Sequence, residues 1–279
     1  MTGRAGLDYE AEYNNRRRVA DFGAIAARWQ LASDAYRKAA DAQLDQPYGA
    51  GERHRYDLFH AAERAAAPTV VYIHGGYWQW GDRSAYAFVA RALNADGLNV
   101  ALPSYSLCPT GSVLDIVGEL RQALSAIGRK TGTPLLVVGH SAGGHLTAAM
   151  VATDWGTVDG APADLVHAGI AISGVFDLRP LLTTSINDAV GLDPRTAVAA
   201  SPRLWPPPPP GRTFTAAVGA GESSEFLRQS RDIVEHWSRE GVQADYLEIP
   251  GTNHFTVLDH LASPETSLYA RVVALAREA

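Results

Sequence analysis

Residues 135–150 read L-L-V-V-G-H-S-A-G-G-H-L-T-A-A-M, and they constrain the fold more than any other stretch. A short apolar run, 135–138, has the length of a buried strand. It breaks at Gly139, exposes Ser141, and becomes helix-like from Gly143 onward. The pattern G-x-S-x-G between a strand and a helix predicts a tight, strained turn with the serine at its apex. Glycine is expected at both flanks because a Cβ there would strike the adjoining strand or helix. The helix start would also aim free N–H groups and a positive dipole end at the serine, where negative charge develops if it acts as a nucleophile.

The rest of the chain alternates strand and helix patterns. Apolar runs at 56–59, 67–74, 98–102, 166–173, 214–218 and 246–249 read as strands. Helical periodicity marks 86–96, 113–129, 223–240 and 268–277, with Val113, Ile116, Val117, Leu120, Leu124 and Ile127 on one face of the second. This alternation predicts one α/β domain over 1–279, with a mainly parallel central sheet and helices on both faces. Residues 1–50 read as a helical N-terminal extension. Residues 174–211 interrupt the alternation and form the candidate cap insertion; their polyproline run, 206–210, reads as a stiff connector.

Bulk properties narrow the function class. The net charge is −6 and no basic run exceeds Arg16–Arg17–Arg18, so neither nucleic acid nor an anionic membrane surface is an expected partner. The single cysteine, Cys108, rules out an internal disulfide framework and reads as buried filler. The first residues lack a charged-then-apolar leader pattern and no run approaches ~18 apolar residues, so a cytoplasmic protein is expected. No H-E-x-x-H or G-x-x-x-x-G-K-[ST] occurs, and neither metal nor other cofactor is expected. A homodimer is compatible with the sequence.

A serine hydroxyl needs a base oriented by a carboxylate. Of the nine histidines, His254 fits best, in the turn-rich P-G-T-N-H-F after the last strand; His260 falls in a helix-like stretch. Glu222 is the expected acid, with Asp177 and Glu225 as alternatives. Glu222 directly follows the strand at 214–218, where catalytic groups of parallel sheets gather. Glu225 suits a helix N-terminus, and Asp177 follows the preceding strand. Oxyanion donors are offered by the N–H groups of Ala142 and of Gly75 and Gly76 in H-G-G-Y-W. Tyr77, Trp78, Phe176 and Phe226, with Trp80 and Tyr105, are the aromatics expected near the substrate pocket.

With H-G-G-Y-W at 74–78, G-H-S-A-G-G-H at 139–145, G-E-S-S-E-F at 221–226 and N-H-F at 253–255 in this order, the chain resembles the α/β-hydrolase superfamily. More narrowly it resembles the kynurenine formamidase (arylformamidase) branch and its bacterial esterase relatives, which Y-N-N-R-x-R-V at 13–19 and S-G-V-F-D-L-R-P-L at 173–181 also match. The resemblance implies Ser141 as nucleophile, His254 as base, and Gly75, Gly76 and Ala142 as oxyanion donors. The branch usually has aspartate where this chain has Glu222. It also implies hydrolysis of a small-acyl ester or an aryl formamide, with an aromatic small molecule as substrate. The rival expectations are a general short-chain carboxylesterase and, in another class, a non-catalytic binding scaffold on the same fold.

Overall fold

Six strands run parallel: Thr69–Ile73 (β3), Asn99–Pro103 (β4), Leu135–His140 (β5), Val166–Ile172 (β6), Thr213–Gly219 (β7) and Gln243–Ile249 (β8). Two more, Ala42–Pro47 (β1) and Arg55–Phe59 (β2), extend one edge through antiparallel pairing. These strands belong to a computed structural model that describes residues 6–63 and 67–278. The order across the sheet is β1-β2-β4-β3-β5-β6-β7-β8. Sequence order turns back at β3, which lies between β4 and β5, so the strands spread in both directions from this point. The crevice at the carboxyl ends of strands flanking such a switch is where α/β sheets place ligands.

The near-continuous apolar runs of the central strands follow from cover on both faces. Successive side chains point to opposite faces. Val71, Ile73 and Val137 therefore join one core, with Val113–Thr131 (α5), Ala142–Ala152 (α6) and Ser224–Arg239 (α9). Val70, Tyr72, Leu136 and Val138 join the other, with Phe22–Ala39 (α3), Ala90–Ala95 (α4), Val257–Leu261 (α10) and Ser267–Ala276 (α11). All six predicted apolar positions of α5 are buried. A Ser112–Asp115 capping box starts this helix, and Gly132 ends it in the left-handed region at φ 71°.

Two departures from the sequence expectations stand out. The 1–50 extension is helical through Tyr9–Tyr13 (α1), Asn15–Arg18 (α2) and α3, but then forms edge strand β1; residues 1–5 lie outside the described residues. The helix expected at 86–96 is a 3-10 stretch, Arg83–Val89, running into the short α4. Region 174–211 holds two short helices, Asn187–Val190 (α7) and Pro194–Ala199 (α8), among 3-10 turns. Among the described residues, no helix is long and apolar enough to cross a membrane.

Candidate active site

Ser141 stands between β5 and α6 with φ 58° and ψ −117°. Its N–H donates to the Ile172 carbonyl (2.8 Å), and its own carbonyl accepts from the His145 N–H (3.1 Å). Left-handed backbone at a non-glycine residue costs on the order of 1–3 kcal/mol, and such bonds hold it in place. The flanking glycines are needed for the close approach the sequence predicted. A Cβ on Gly139 would lie 2.2 Å from the Gly143 carbonyl oxygen, and one on Gly143 would lie 2.0 Å from that of Ile73 on neighbouring β3.

His254 follows β8, and its Nδ1 lies 2.7 Å from Oε2 of Glu222, both side chains being buried. The other carboxylate oxygen, Oε1, accepts from the Gly219 N–H (2.8 Å) and the Ser173 hydroxyl (2.5 Å). With those donors fixed on Oε1, Oε2 is left to accept from Nδ1–H, which leaves the lone pair of His254 on Nε2. The other two candidate acids are placed elsewhere. Glu225 accepts from the Tyr13 hydroxyl and pairs with Arg228, and Asp177 pairs with Arg179. His260 lies in α10.

Two neighbours of this pair had no clear sequence signal. Ser173, itself at φ 53°, supplies a donor to Glu222. His140 donates from Nε2 to the His254 carbonyl (2.7 Å), tying the end of β5 to the loop that carries His254. Burial, with His254 alongside, pushes the His140 pKa well below the usual histidine range, so this ring is a neutral strut at pH 7. Burial likewise lowers His74 and His145 to about 4.

The loop after β3 passes directly over the serine. A Cβ on Gly75 would stand 3.0 Å from that of Ser141, and one on Gly76, at φ 116°, would meet the Trp80 carbonyl at 2.0 Å. Tyr77 and Trp78 continue in the left-handed region at φ 46° and 58°. Across the turn, Ala142 opens α6, where first-turn N–H groups have no intrahelical acceptor. The paired glycines and Ala142 thus bring backbone toward the serine from opposite sides.

Ser141, His140 and His254 form the floor of a cavity of about 270 Å³. Gly76, Tyr77, Gln79 and Trp80 make one wall, and Ser185 and Ile186 of the 174–211 region another. The roof comes from the N-terminal extension through Asn14, Asn15, Arg16, Phe22 and Trp29. Of the aromatics expected there, Tyr77 and Trp80 line the cavity, and Tyr105 stacks on His74 instead. Trp78 is buried edge-on against His145, and Phe176 packs against Phe214. Phe226 sits behind the histidine, 4.6 Å from the His254 ring and 5.7 Å from Tyr13. Among the described residues, no group of three or more His, Cys, Asp or Glu is placed to hold a metal ion.

Residues 70–258 match a family model for the α/β-hydrolase fold. The chain is 29% identical to a kynurenine formamidase of Salmo salar over 240 residues, covering 83% of this chain and 81% of that one. It is 30% identical to a kynurenine formamidase of Drosophila melanogaster over 233 residues, covering 79% and 77%. A crystal structure of a candidate thioesterase from Silicibacter sp. superposes with a TM-score of 0.87 at 33% identity, covering 96% of this chain and all of the other. The chain is therefore a hydrolase that belongs to the α/β-hydrolase family, on the branch of the kynurenine formamidases and their esterase relatives.

Proposed function

We propose that the protein is a Ser-His-Glu hydrolase of arylformamidase type, cleaving a formyl or other short acyl group from an aryl amide or ester. The observation that carries this reading is the buried 2.7 Å contact between His254 Nδ1 and Glu222, with Ser141 and His254 on the floor of one cavity. Nε2 of His254 takes the Ser141 hydroxyl proton as Oγ attacks the acyl carbonyl. The resulting oxyanion is held by the N–H groups of Ala142, Gly75 and Gly76. Glu222 keeps the imidazole in the Nδ1–H tautomer and stabilises the imidazolium that forms. His254 then protonates the leaving amine or alcohol. A water molecule, deprotonated by the same ring, releases the acid and restores the serine.

The substrate side rests on shape and on the relatives. Phe22, Trp29, Trp80, Tyr86 and Phe255 line the cavity and suit an aryl leaving group. The kynurenine formamidase relatives favour a formamide, whereas the candidate thioesterase structure favours a more general acyl substrate. Comparing kcat/KM for N-formyl-L-kynurenine with p-nitrophenyl acetate and butyrate, with Ser141→Ala as blank, decides between them. A preference for the formamide of ~100-fold, about 2.7 kcal/mol, is expected. Efficient ester turnover with an inert formamide would make the protein a short-chain carboxylesterase.

A further inference from the structure

The cavity has an unbalanced charge. None of its lining residues is Asp or Glu, and Arg16 is the one among them with a permanent charge. The Arg16 guanidinium lies over the Trp80 ring, 3.7 Å from its centre, and 5.0 Å from that of Phe22. Among the described residues it has no ion pair or side-chain hydrogen bond. Glu10, the carboxylate that reaches the same rim, is occupied by Asn14 and by the backbone N–H and hydroxyl of Ser185. Stacking on aromatic faces fixes the position of a guanidinium but leaves its in-plane N–H fork unused.

A second observation lies next to it. Asn15 also lines the cavity, as it does a neighbouring one bordered by Asp21 and Glu222; it is only 4% exposed, and its amide nitrogen has no hydrogen-bond partner. Buried amides without partners are rare in folded chains, and one in a cavity wall points to a partner on the ligand. A fork of charged donors and a neutral donor in one cavity, with no acid in its lining and Glu10 at the rim already satisfied, is the chemistry that recognises a carboxylate.

We infer that Arg16 and Asn15 form a subsite for a carboxylate carried by the substrate away from its scissile bond, so that the enzyme prefers anionic aryl substrates to neutral ones. The subsite would select among the compounds that Ser141 can attack, and its kinetic test rests on the serine-hydrolase reading above.

Two matched pairs test it: N-formyl-L-kynurenine against its carboxamide, and 3-acetoxybenzoate against 3-acetoxybenzamide. The wild-type protein should prefer the carboxylate of a pair by at least tenfold in kcat/KM. Arg16→Met should collapse that ratio toward one, while Arg17→Met, one residue along the same turn, should keep it. No preference in the wild type, or a preference that survives Arg16→Met, overturns the subsite. If both formamides are inert but the acetoxy pair shows the Arg16-dependent ratio, the formamidase reading falls and the subsite stands. Calorimetry on the Ser141→Ala protein removes turnover altogether. N-formyl-L-kynurenine should bind it at least tenfold more tightly than the Ser141→Ala, Arg16→Met double variant, and equal binding would again overturn the proposal.

Discussion

Ser141 and His254 on the floor of the cavity, and Glu222 bonded to His254, follow strands β5, β8 and β7 in a sheet whose strands are bonded along their length. The roof is attached differently. It is carried by α1 to α3: α3 packs Ile25 and Trp29 into the core, whereas α1 reaches the rest of the molecule through separate side-chain contacts, Tyr77 to the Tyr13 carbonyl, Tyr13 to Glu225, Glu10 to Ser185, and Glu12 to Ser224. The floor is thus fixed by a cooperative ladder, and the α1 part of the roof by contacts that can be lost singly. Such a division suits a scaffold whose reaction stays constant while its substrate changes.

The largest effect should come from the floor. Ser141→Ala is expected to lower kcat/KM by on the order of 10⁵-fold with the fold intact, measured as residual turnover and as loss of labelling by an organophosphonate. Glu222→Gln follows. The donors Ser173 and Gly219 would retain the amide oxygen, turning the amide NH₂ toward His254 and forcing its proton to Nε2. A loss of about 10³-fold in kcat at unchanged stability is expected, and a loss below tenfold would show that the contact is not catalytic.

Acid should act next, through two buried histidines near the site. His74 and His145 are held neutral by burial, their pKa values lowered to about 4, so the unfolded chain takes up protons that the folded chain refuses. Their contribution is complete above pH ~6.5 and is lost as pH falls toward 4, at about 1.4 kcal/mol per unit and per histidine. Urea midpoints between pH 7 and 5 test this, and a flat profile would contradict it. The smallest effect should come from the roof. Tyr13→Phe removes a donor to buried Glu225 and an acceptor for Gln229, for about 1–2 kcal/mol of stability and a larger change in KM than in kcat. An equal change in both parameters would remove the distinction between roof and floor.

The same division governs what was legible in the amino-acid sequence. The floor is written locally: a strand pattern, glycines at forced positions, and single residues just past strand ends, as for Ser141, Glu222 and His254. Its place just past a strand end favours Glu222 over Glu225 and Asp177 in the sequence, but that its carboxylate is the one in contact with His254 is visible only in the structure. The roof is assembled from distant segments. Nothing in Asn15 or Arg16 by itself announces a cavity, and Trp78, Phe176 and Phe226 show that an aromatic near a motif is as readily core. Edge strand β1, A-Q-L-D-Q-P, escaped notice because its half-exposed, polar sequence lacks the alternation of a covered strand.

The left-handed backbone at Ser141, Tyr77 and Trp78 has a consequence in time. Its unfavourable energy is met once per molecule, when the surrounding bonds close during folding, and it does not recur with each catalytic cycle. On the mechanism proposed above, Ser141 and the backbone over it are already in place when substrate arrives, and the lifetime of the folded state sets how many cycles one act of folding supports.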